Sequence, residues 1–271
     1  MKEKGEYSMK LGFIGTGNMA GAMIGGIIKK GLMKPEEIIG SDILEAGREK
    51  VRKLYGISVT DNNKEVAKAD IIVLSVKPQY YVQAIAEIKD EIQENQLIIT
   101  IAPGKKLAWL EEQFGKKVKL IRTMPNTPAM VGEGMTAVCA NEQVTEAELR
   151  AALDILEAFG EVEVVAEHLM DAVVAVSGSS PAYVFMFIEA MADAAVSEGM
   201  PRQQAYKFAA QAVLGSAKML LETGKHPGEL KDMVCSPAGT TIEAVRVLEE
   251  KGVRSAVIEA MKSCAEVSRN M

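Results

Sequence analysis

Two stretches carry the residue types and spacings best suited to chemistry, and the first is residues 10–21. It reads KLGFIGTGNMAG, an apolar run followed by Gly15, Gly17 and Ala20. In this pattern Gly15 permits a tight turn, Gly17 lets the backbone approach a pyrophosphate, and Ala20 lets a helix pack close to the preceding strand. The phosphates would lie at the helix N-terminus, where free N–H groups and the helix dipole favour negative charge. The pattern predicts a dinucleotide site, with a plain turn as the alternative.

The second stretch, residues 236–241, reads SPAGTT and leads into a predicted helix. Free N–H groups and two hydroxyls in a glycine-containing turn could hold a carboxylate without an arginine. The structural alternative is a well-capped helix, with Thr240 as the N-cap and Glu243 completing a capping box. We expect the capping box in either case, so the open question is whether the turn also binds a ligand.

The scarcity of acid–base side chains narrows the reaction class. A dehydrogenase that acts on a hydroxyl or a ketone needs an acid–base group, usually histidine or lysine. The two histidines are His168 and His226, and we expect both to be structural or solvated. An imine nitrogen can arrive already protonated, so an imine site needs mainly positioning and one hydrogen-bond partner. A threonine hydroxyl at a helix N-terminus can supply that partner.

Alternating strands and helices over residues 10–165 must position the first stretch. Short apolar runs predict strands at 10–15, 37–41, 57–59, 71–75, 97–101, 118–122, 135–140 and 162–165. The segments between them predict helices at 18–31, 44–55, 63–68, 79–90, 105–113 and 145–159. This alternation indicates a Rossmann-type, doubly wound α/β fold, in which a parallel sheet is covered on both faces and joined by right-handed crossovers. We assign residues 9–165 to a dinucleotide-binding domain.

In such a sheet the ligand lies beyond the carboxyl ends of the strands, so the residues there are candidates. Asp42 follows the second strand and would accept hydrogen bonds from the adenosine ribose, but an N-cap of the next helix is about equally compatible with its position. Lys77 could meet phosphate or ribose, or be solvated, and Pro78 suits a first helical position. Residues 102–104 are small enough to lie against a flat ring, and residues 122–128 form a stiff, proline-containing loop.

Beyond residue 165 the pattern is helical. Helices are predicted at 167–176, 180–198, 201–222, 227–235, 239–251 and 253–268. The 180–198 helix begins with Ser179 or Ser180 as N-cap and Pro181 just inside, and it is apolar on nearly every side. Such a helix is deeply buried, yet this region of about a hundred residues is small for hiding it. We infer a helical domain over residues 166–271 in which two chains share a core.

Composition narrows the class of protein. The 271 residues carry a net charge of −6, which gives no bulk electrostatic support to a nucleic-acid or anionic-membrane partner. The uncharged stretch 172–188 is interrupted by SGSSP, so we do not expect it to span a membrane. No secretory signal is visible, and residues 1–9 look like a short disordered extension. The three cysteines lack metal-type spacing. We therefore expect a soluble, cytoplasmic, metal-free protein.

Several motifs together resemble those of pyrroline-5-carboxylate reductases. Besides GFIGTGNMA at 12–20, the more specific motifs are VKPQ at 76–79, RTMPNTPA at 122–129, SGSSPAY at 177–183 and HPGELKDMVCSPAGTT at 226–241. The resemblance runs from residue 9 to residue 268, and the last motif is close to the family's signature. It implies hydride transfer from NADPH or NADH to the C=N carbon of 1-pyrroline-5-carboxylate, which gives L-proline in the last step of proline biosynthesis.

The same resemblance implies roles for individual residues. Thr241 matches the threonine whose hydroxyl faces the ring nitrogen, Gly239 and Thr240 belong to the loop whose amides hold the substrate carboxylate, and Glu167 lines the proline pocket. The residues implied for the nucleotide are Gly15, Thr16, Gly17, Asn18 and Met19 at the phosphates, Asp42 and Asn63 at the adenosine end, and Val76, Lys77, Pro78, Ala102, Pro103 and Gly104 along the nicotinamide half. The family also implies a swapped helical dimer, often assembled into a decamer.

Two positions depart from the family's pattern. Asp42 stands where some members have a serine near the 2′-phosphate, so the resemblance does not extend to a strict preference for NADPH. Ala238 occupies a position that is often glycine, which is a minor change if its backbone angles are ordinary.

A 3-hydroxyacid dehydrogenase is an alternative function, although residues 177–198 lack the lysine that such an enzyme should place there. A non-enzymatic dinucleotide sensor is another, because a fold does not determine a function.

Overall fold

The computed structural model describes residues 9–271, which divide into two compact units. The sheet unit comprises residues 9–178 together with Ala265–Met271, and the helical unit comprises Ser179–Cys264. The predicted domain boundary, between residues 165 and 166, lies 13 residues before the point at which these two units divide, after Gly178. It stays a prediction about functional domains. The predicted N-terminal extension lies, apart from Met9, outside the described residues.

Within the described residues, the sheet unit is built on eight strands in the order β3-β2-β1-β4-β5-β6-β7-β8. The strands are β1 Leu11–Ile14, β2 Ile38–Ser41, β3 Ser58–Thr60, β4 Ile71–Leu74, β5 Leu97–Thr100, β6 Lys119–Met124, β7 Gly134–Ala140 and β8 Gly160–Val164. Each corresponds to a predicted strand, with small shifts at the ends. The Rossmann-type fold is therefore confirmed.

The expectation of a fully parallel sheet is wrong at one edge. Strands β1 to β6 run parallel, whereas β7 pairs antiparallel with β6, and β8 pairs parallel with β7. The β6–β7 connection, residues 125–133, contains the short 3₁₀ turn Thr127–Val131. A parallel crossover needs a dozen or more residues, so this short connection reverses the chain instead. The carboxyl ends of β1 to β6 consequently share one edge of the sheet.

Helices cover both faces of the sheet, as predicted. They are α1 Asn18–Lys29, α2 Glu45–Tyr55, α3 Asn63–Val66, α4 Tyr81–Ile88, α5 Leu107–Phe114, α6 Glu146–Leu156 and α7 Met170–Val173. One core contains Met23 and Ile27 of α1, and the other contains Tyr81 and Ile85 of α4. The predicted 167–176 helix is instead a 3₁₀ turn, Glu167–Leu169, followed by α7 and a π-helical turn, Val174–Gly178.

Tyr81 joins the ends of β4 and β5 from inside the core. Its hydroxyl donates to the carbonyl oxygen of Leu74 at 2.6 Å and lies 2.8 Å from Oγ1 of Thr100. Burial raises the pKa of Tyr81 to about 12, although the hydrogen bond with Thr100 opposes the rise. The folded state therefore strongly favours the protonated phenol.

We predict that Tyr81→Phe lowers stability at neutral pH and flattens the loss of stability in alkali. At neutral pH the missing hydrogen bonds cost ~1–3 kcal/mol. In the parent chain the contribution of Tyr81 is complete below the unfolded pKa of about 10. Between about pH 10 and 12 the unfolded state releases the phenol proton and the folded state retains it, so the free energy of unfolding falls by about 1.4 kcal/mol per pH unit.

Denaturant titrations of both proteins between neutral pH and about pH 11 would measure this difference. Burial, reinforced by the Glu167 carboxylate, also raises the pKa of the Cys139 thiol to about 11. The Cys139 thiol contributes equally to the pH dependence of the free energy of unfolding in both proteins, so its contribution cancels in the comparison. An equally steep alkaline loss in Tyr81→Phe would contradict the assignment to Tyr81.

The helical unit contains α8 Ser180–Ser197, α9 Arg202–Thr223, α10 Pro227–Val234 and α11 Thr240–Glu250, and α12 Val253–Arg269 ends in the sheet unit. Ser179 occupies the predicted N-cap position of α8, and Pro181 lies in its first turn. Within the described part of the chain, however, Ser179 makes no capping bond with its side chain. Its hydroxyl accepts the Cys264 thiol at 3.3 Å instead.

Helix α8 is apolar, as predicted, but its own chain does not bury it. Phe185 is 65% exposed, Met186 69% and Phe187 50%. Residues Glu167–Ser197 are long and apolar enough to cross a membrane by length and composition, and most of the segment's apolar stretch is not buried within the chain. The π-helical turn Val174–Gly178 interrupts this segment. A contiguous apolar surface of this kind marks an interaction site.

Candidate active site

The two glycines of the β1–α1 turn, Gly15 and Gly17, have different structural roles. Gly15 has a φ of +97°, and its N–H donates to the carbonyl oxygen of Ser41 at 2.8 Å. A methyl group at Gly15 would lie 2.9 Å from the backbone carbon and oxygen of Ser75, so the turn sterically requires glycine. Gly17 has an ordinary φ of −68°, and a methyl group there would meet no described atom within 4 Å apart from those of its chain neighbours. The fold therefore needs Gly15, whereas the space at Gly17 is open.

The start of α1 is suited to an anion. Gly17 is its N-cap, and no side chain among residues 9–271 caps the helix. A cleft of about 190 Å³ is lined in part by Thr16, Gly17, Asn18 and Lys50. The Lys50 ammonium lies 3.4 Å from Oδ1 of Asn18 and adds positive charge beside the helix terminus. Uncapped N–H groups, open space and a nearby cation are the features that a pyrophosphate requires.

Asp42 connects the end of β2 to this turn. Its Oδ2 accepts the Thr16 N–H at 2.9 Å and the Thr16 hydroxyl at 3.2 Å, and its Oδ1 accepts the Leu44 N–H at 2.9 Å. The N-cap of α2 is Leu44, so the interpretation of Asp42 as the N-cap is wrong. Arg48 donates to the carbonyl oxygen of Asp42 at 2.6 Å. The carboxylate thus holds the phosphate-side turn in place, and its contact with ribose stays a prediction.

Asn63 lies beside the same strand end. Its Oδ1 accepts the Ser41 hydroxyl at 2.6 Å, and its Nδ2 donates to Glu87 at 2.7 Å. Neither Ser41 nor Ser75 is among the predicted site residues, and the Ser75 hydroxyl donates to the carbonyl oxygen of Gly15 at 2.7 Å. The available signal was a serine directly after each apolar run.

The ends of β4 and β5 present the residues predicted for the nicotinamide half. Lys77 is exposed, and its ammonium has no hydrogen-bond or ion-pair partner in the described part of the chain. Pro78 occupies the first position of a 3₁₀ turn, as predicted. Val76 packs against the core beneath, and Ala102 is buried. These residues lie at neighbouring parallel strand ends, so they share the edge of the sheet at which ligands bind in folds of this type, and their contact with the nucleotide stays a prediction.

The side chains of Glu167 and Asn126 both form hydrogen bonds within the sheet unit. Glu167 Oε1 accepts Nη1 of Arg122 at 3.0 Å and the Leu107 N–H at 2.7 Å. Asn126 donates to the carbonyl oxygen of Ser177 at 3.1 Å and accepts the Met135 N–H at 2.8 Å. Its hydrogen bonds account for the stiffness predicted for residues 122–128. The substrate contact predicted for Glu167 stays untested.

In the helical unit, residues 236–239 form a tight turn. Gly239 N–H donates to the carbonyl oxygen of Ser236 at 3.1 Å, with Pro237 at the second position and Ala238 at the third. Ala238 has a φ of +56°, so the condition under which alanine would be a minor change here, ordinary backbone angles, is not met. A type II turn places a left-handed residue at its third position, where glycine is preferred. Ala238 is therefore strained.

We predict that Ala238→Gly stabilises the protein by up to about 1 kcal/mol, because relief of the left-handed strain exceeds the extra entropy of the unfolded chain. Denaturant midpoints at fixed protein concentration measure the effect. Ala244→Gly is the matched control: Ala244 lies in the exposed middle of α11, and glycine there costs about 1 kcal/mol. Destabilisation by both substitutions would contradict the strain at Ala238.

The capping box predicted at the start of α11 is wrong. The N-cap is Gly239, not Thr240, and no side-chain capping bond forms there among the described residues. The Glu243 carboxylate instead accepts hydrogen bonds from Arg246 at 2.7–3.1 Å. The turn advances the helix start by one residue and brings Thr240 and Thr241 into its first turn. Their N–H groups therefore remain uncapped beside two hydroxyls.

The histidines behave as predicted. His226 is the N-cap of α10, and its Nδ1 accepts the Gly228 N–H at 3.1 Å. His168 is exposed.

Comparisons with known proteins agree with these two regions. A family model described as pyrroline-5-carboxylate reductase dimerisation matches residues 167–271. A second, described as NADP oxidoreductase coenzyme F420-dependent, matches residues 10–104. The pyrroline-5-carboxylate reductase of Escherichia coli (strain K12) is 55% identical over 266 residues, which cover 97% of this chain and 98% of that protein.

Solved structures give the same result. A pyrroline-5-carboxylate reductase from Coxiella burnetii superimposes with a TM-score of 0.90 at 34% identity, covering 97% of this chain and 98% of the other. Plasmodium falciparum pyrroline carboxylate reductase with NADP bound gives a TM-score of 0.89 at 32% identity, covering 98% and 99%. With 55% identity over nearly its whole length to one such reductase, the chain belongs to the pyrroline-5-carboxylate reductase family.

Proposed function

We propose that the sheet unit binds NAD(P)H and that the start of α11 holds a cyclic imine, so that the chain reduces 1-pyrroline-5-carboxylate to L-proline. Membership of the family makes the chain an NAD(P)H-dependent oxidoreductase that acts on a C=N bond. The observation that carries the substrate assignment is the first turn of α11. There, two hydroxyls and uncapped N–H groups follow a strained turn, and no side chain in the described ranges neutralises them.

The dinucleotide fits the carboxyl edge of the sheet. Bound NAD(P)H supplies the hydride. Gly17, Asn18 and Met19 at the start of α1 offer N–H groups for the pyrophosphate, and Lys50 supplies charge beside them. Asp42 and Asn63 hold the adenosine end, while Lys77 and the small residues 102–104 flank the nicotinamide half.

The substrate carboxylate suits the positive end of a helix. The uncapped N–H groups of Thr240 and Thr241 have the polarity to hold it, and the dipole of α11 adds to the attraction. The Gly239 N–H, predicted to share this role, already donates to the Ser236 carbonyl oxygen. The Thr241 hydroxyl then accepts the N–H of the protonated imine and fixes its orientation. Because the nitrogen already carries its proton, the chain needs no histidine or lysine at this step.

The apolar surface of α8 is best explained by a second copy of the chain. The matched dimerisation region includes all of α8, and its phenylalanines are exposed in the single chain. A partner protomer that covers this surface also accounts for the apolar segment without a lipid bilayer. We propose a homodimer through the helical domain that can assemble further into a decamer, and a soluble cytoplasmic enzyme.

The test is an assay of NADPH and NADH oxidation with the cyclic imino acid as substrate. Turnover with the imine, and none with a 2-keto or 3-keto acid, would support the proposal. A folded protein that binds the nucleotide but leaves the imine unreduced would overturn it. The chain mass in solution tests the shared core, and a stable, folded monomer would contradict that core.

A further inference from the structure

The loop between β5 and α5, residues 101–106, is held by residues from distant parts of the sequence. Helix α5 begins at Leu107, and its N-cap Lys106 makes no side-chain capping bond within the described chain. The Leu107 N–H instead donates to Oε1 of Glu167 at 2.7 Å, across 60 residues of sequence. A carboxylate at this position also suits the positive end of the α5 dipole. Glu167 thus caps α5 and fixes the far end of the β5–α5 loop.

Arg122 holds the Glu167 carboxylate in place. Its Nη1 lies 3.0 Å from the same oxygen, and the Arg122 side chain is only 4% exposed. Arg122 pairs with Thr100, the last residue of β5, in the parallel register of β5 and β6. A charge-assisted hydrogen bond from a buried guanidinium fixes direction as well as distance. The Arg122 side chain therefore connects the cap on α5 to the end of β5, the strand from which the loop begins.

Asp171, one helical turn after Glu167, reaches the middle of the loop through the last residues of the chain. Its Oδ1 accepts the hydroxyl of the buried Ser268 at 2.7 Å, and the Met271 N–H donates to the carbonyl oxygen of Ser268 at 3.3 Å. Met271 lies against Gly104, because a methyl group on Gly104 would come within 2.7 Å of Cβ of Met271. Residues 167–171 are therefore linked to the loop directly at Leu107 and, through Ser268 and Met271, at Gly104.

We infer that Glu167 and Asp171 are positioning residues that set the β5–α5 loop and, through it, the nicotinamide side of the dinucleotide site. The inference rests on the proposed function, in which residues 102–104 flank the nicotinamide. One oxygen of each carboxylate is already bonded within the sheet unit, Glu167 Oε1 to Arg122 and Leu107 and Asp171 Oδ1 to Ser268. We therefore assign to these groups an effect through the loop rather than contact with the dinucleotide. This role differs from the substrate contact that the family resemblance implies for Glu167.

Titration of the full-length protein with NADPH, in the absence of imine, tests the inference. Glu167→Gln keeps an acceptor for the Leu107 N–H but removes the charge that faces Arg122. We expect it to raise the Kd for NADPH about 5- to 10-fold, as the loss of one good hydrogen bond would. The Kd for 2′-phosphoadenosine 5′-diphosphate, which lacks the nicotinamide half, should not change. That difference between the two ligands would not arise from general destabilisation.

Ser268→Ala tests the second attachment without altering any charge, and it carries the test if Glu167→Gln fails to fold. We expect the same selective loss of NADPH affinity. Ser197→Ala is the matched control, since it removes a hydroxyl that donates to the Ala194 carbonyl oxygen in the helical unit. It should leave both dissociation constants unchanged.

Three results would overturn the inference. Unchanged NADPH affinity in both Glu167→Gln and Ser268→Ala would show that the loop needs neither attachment. Equal weakening of both ligands would indicate a general structural role. A higher KM for the imine in Glu167→Gln, with normal NADPH affinity, would instead make Glu167 a substrate contact. Selective loss of NADPH affinity in a chain that fails to reduce the imine would support this inference while overturning the proposed function.

Discussion

Thr241→Ala is expected to lower the turnover number for imine reduction by about 10- to 100-fold, since a hydrogen bond to a charged group contributes ~1.5–3 kcal/mol. The Kd for NADPH should stay nearly constant, because the proposed role of the Thr241 hydroxyl is confined to the imine nitrogen. The fold should tolerate the change, because no hydrogen bond of the Thr241 hydroxyl occurs within residues 9–271. Steady-state kinetics and NADPH fluorescence titration measure the two effects.

Thr241→Ser is the matched control, because it keeps the hydroxyl and should retain most of the turnover. Thr240→Ala removes the neighbouring hydroxyl and should have the smaller effect, since the proposal assigns to Thr240 only its backbone N–H. Full activity in Thr241→Ala would refute the role of the hydroxyl. A matching loss of nucleotide affinity would show that Thr241 acts on more than the imine.

Gly17→Ala is expected to weaken NADPH binding at least about 10-fold in a normally folded protein, because the methyl group occupies the space that a pyrophosphate needs. The protein itself has room, since no described atom beyond those of the chain neighbours lies within 4 Å of that methyl group. The free energy of unfolding should change by less than about 1 kcal/mol, the cost of alanine at an N-cap. Fluorescence titration and denaturant unfolding give the two quantities.

Gly15→Ala should behave in the opposite manner and cost roughly 3 kcal/mol or more, because it combines a forbidden φ with a backbone collision. Gly31→Ala separates those two causes. Gly31 has a φ of +69° but open space around it, so alanine there should cost only about 1 kcal/mol and leave binding unchanged. Similar destabilisation by Gly15→Ala and Gly17→Ala would contradict the division of duties in this turn.

Local patterns predicted the strands and most helices because each is a contiguous run with its own periodicity. Residues 71–74, for example, are uniformly apolar and fully buried in the sheet. The reversed direction of β7 does not follow from these patterns, because alternation of strands and helices predicts parallel pairing throughout. The short connection before β7 carried the missing information.

The start of α11 shows why a correct local motif can fail. Thr240 and Glu243 have the spacing of a capping box, but Arg246 lies one turn further along and binds Glu243 instead. The left-handed Ala238 then makes Gly239 the N-cap. Arg246 competes for the Glu243 carboxylate and prevents the capping box, and this competition cannot be read from the spacing of Thr240 and Glu243 alone.

Long-range attachments lie beyond sequence patterns altogether. Arg122 and Glu167 are 45 residues apart, and neither residue has a local signature that names the other. Asp42 illustrates the same limit: its position after β2 was recognised, whereas its hydrogen bonds to Thr16, 26 residues earlier, follow only from the folded turn.

The exposed phenylalanines of α8 have a kinetic consequence. A chain that cannot cover them alone completes its maturation only when it encounters another copy, a bimolecular step whose rate rises with the square of chain concentration. At low concentration, newly synthesised chains would therefore remain longer as monomers with an exposed apolar surface, accessible to chaperones and proteases. The yield of working enzyme should then grow faster than in proportion to synthesis.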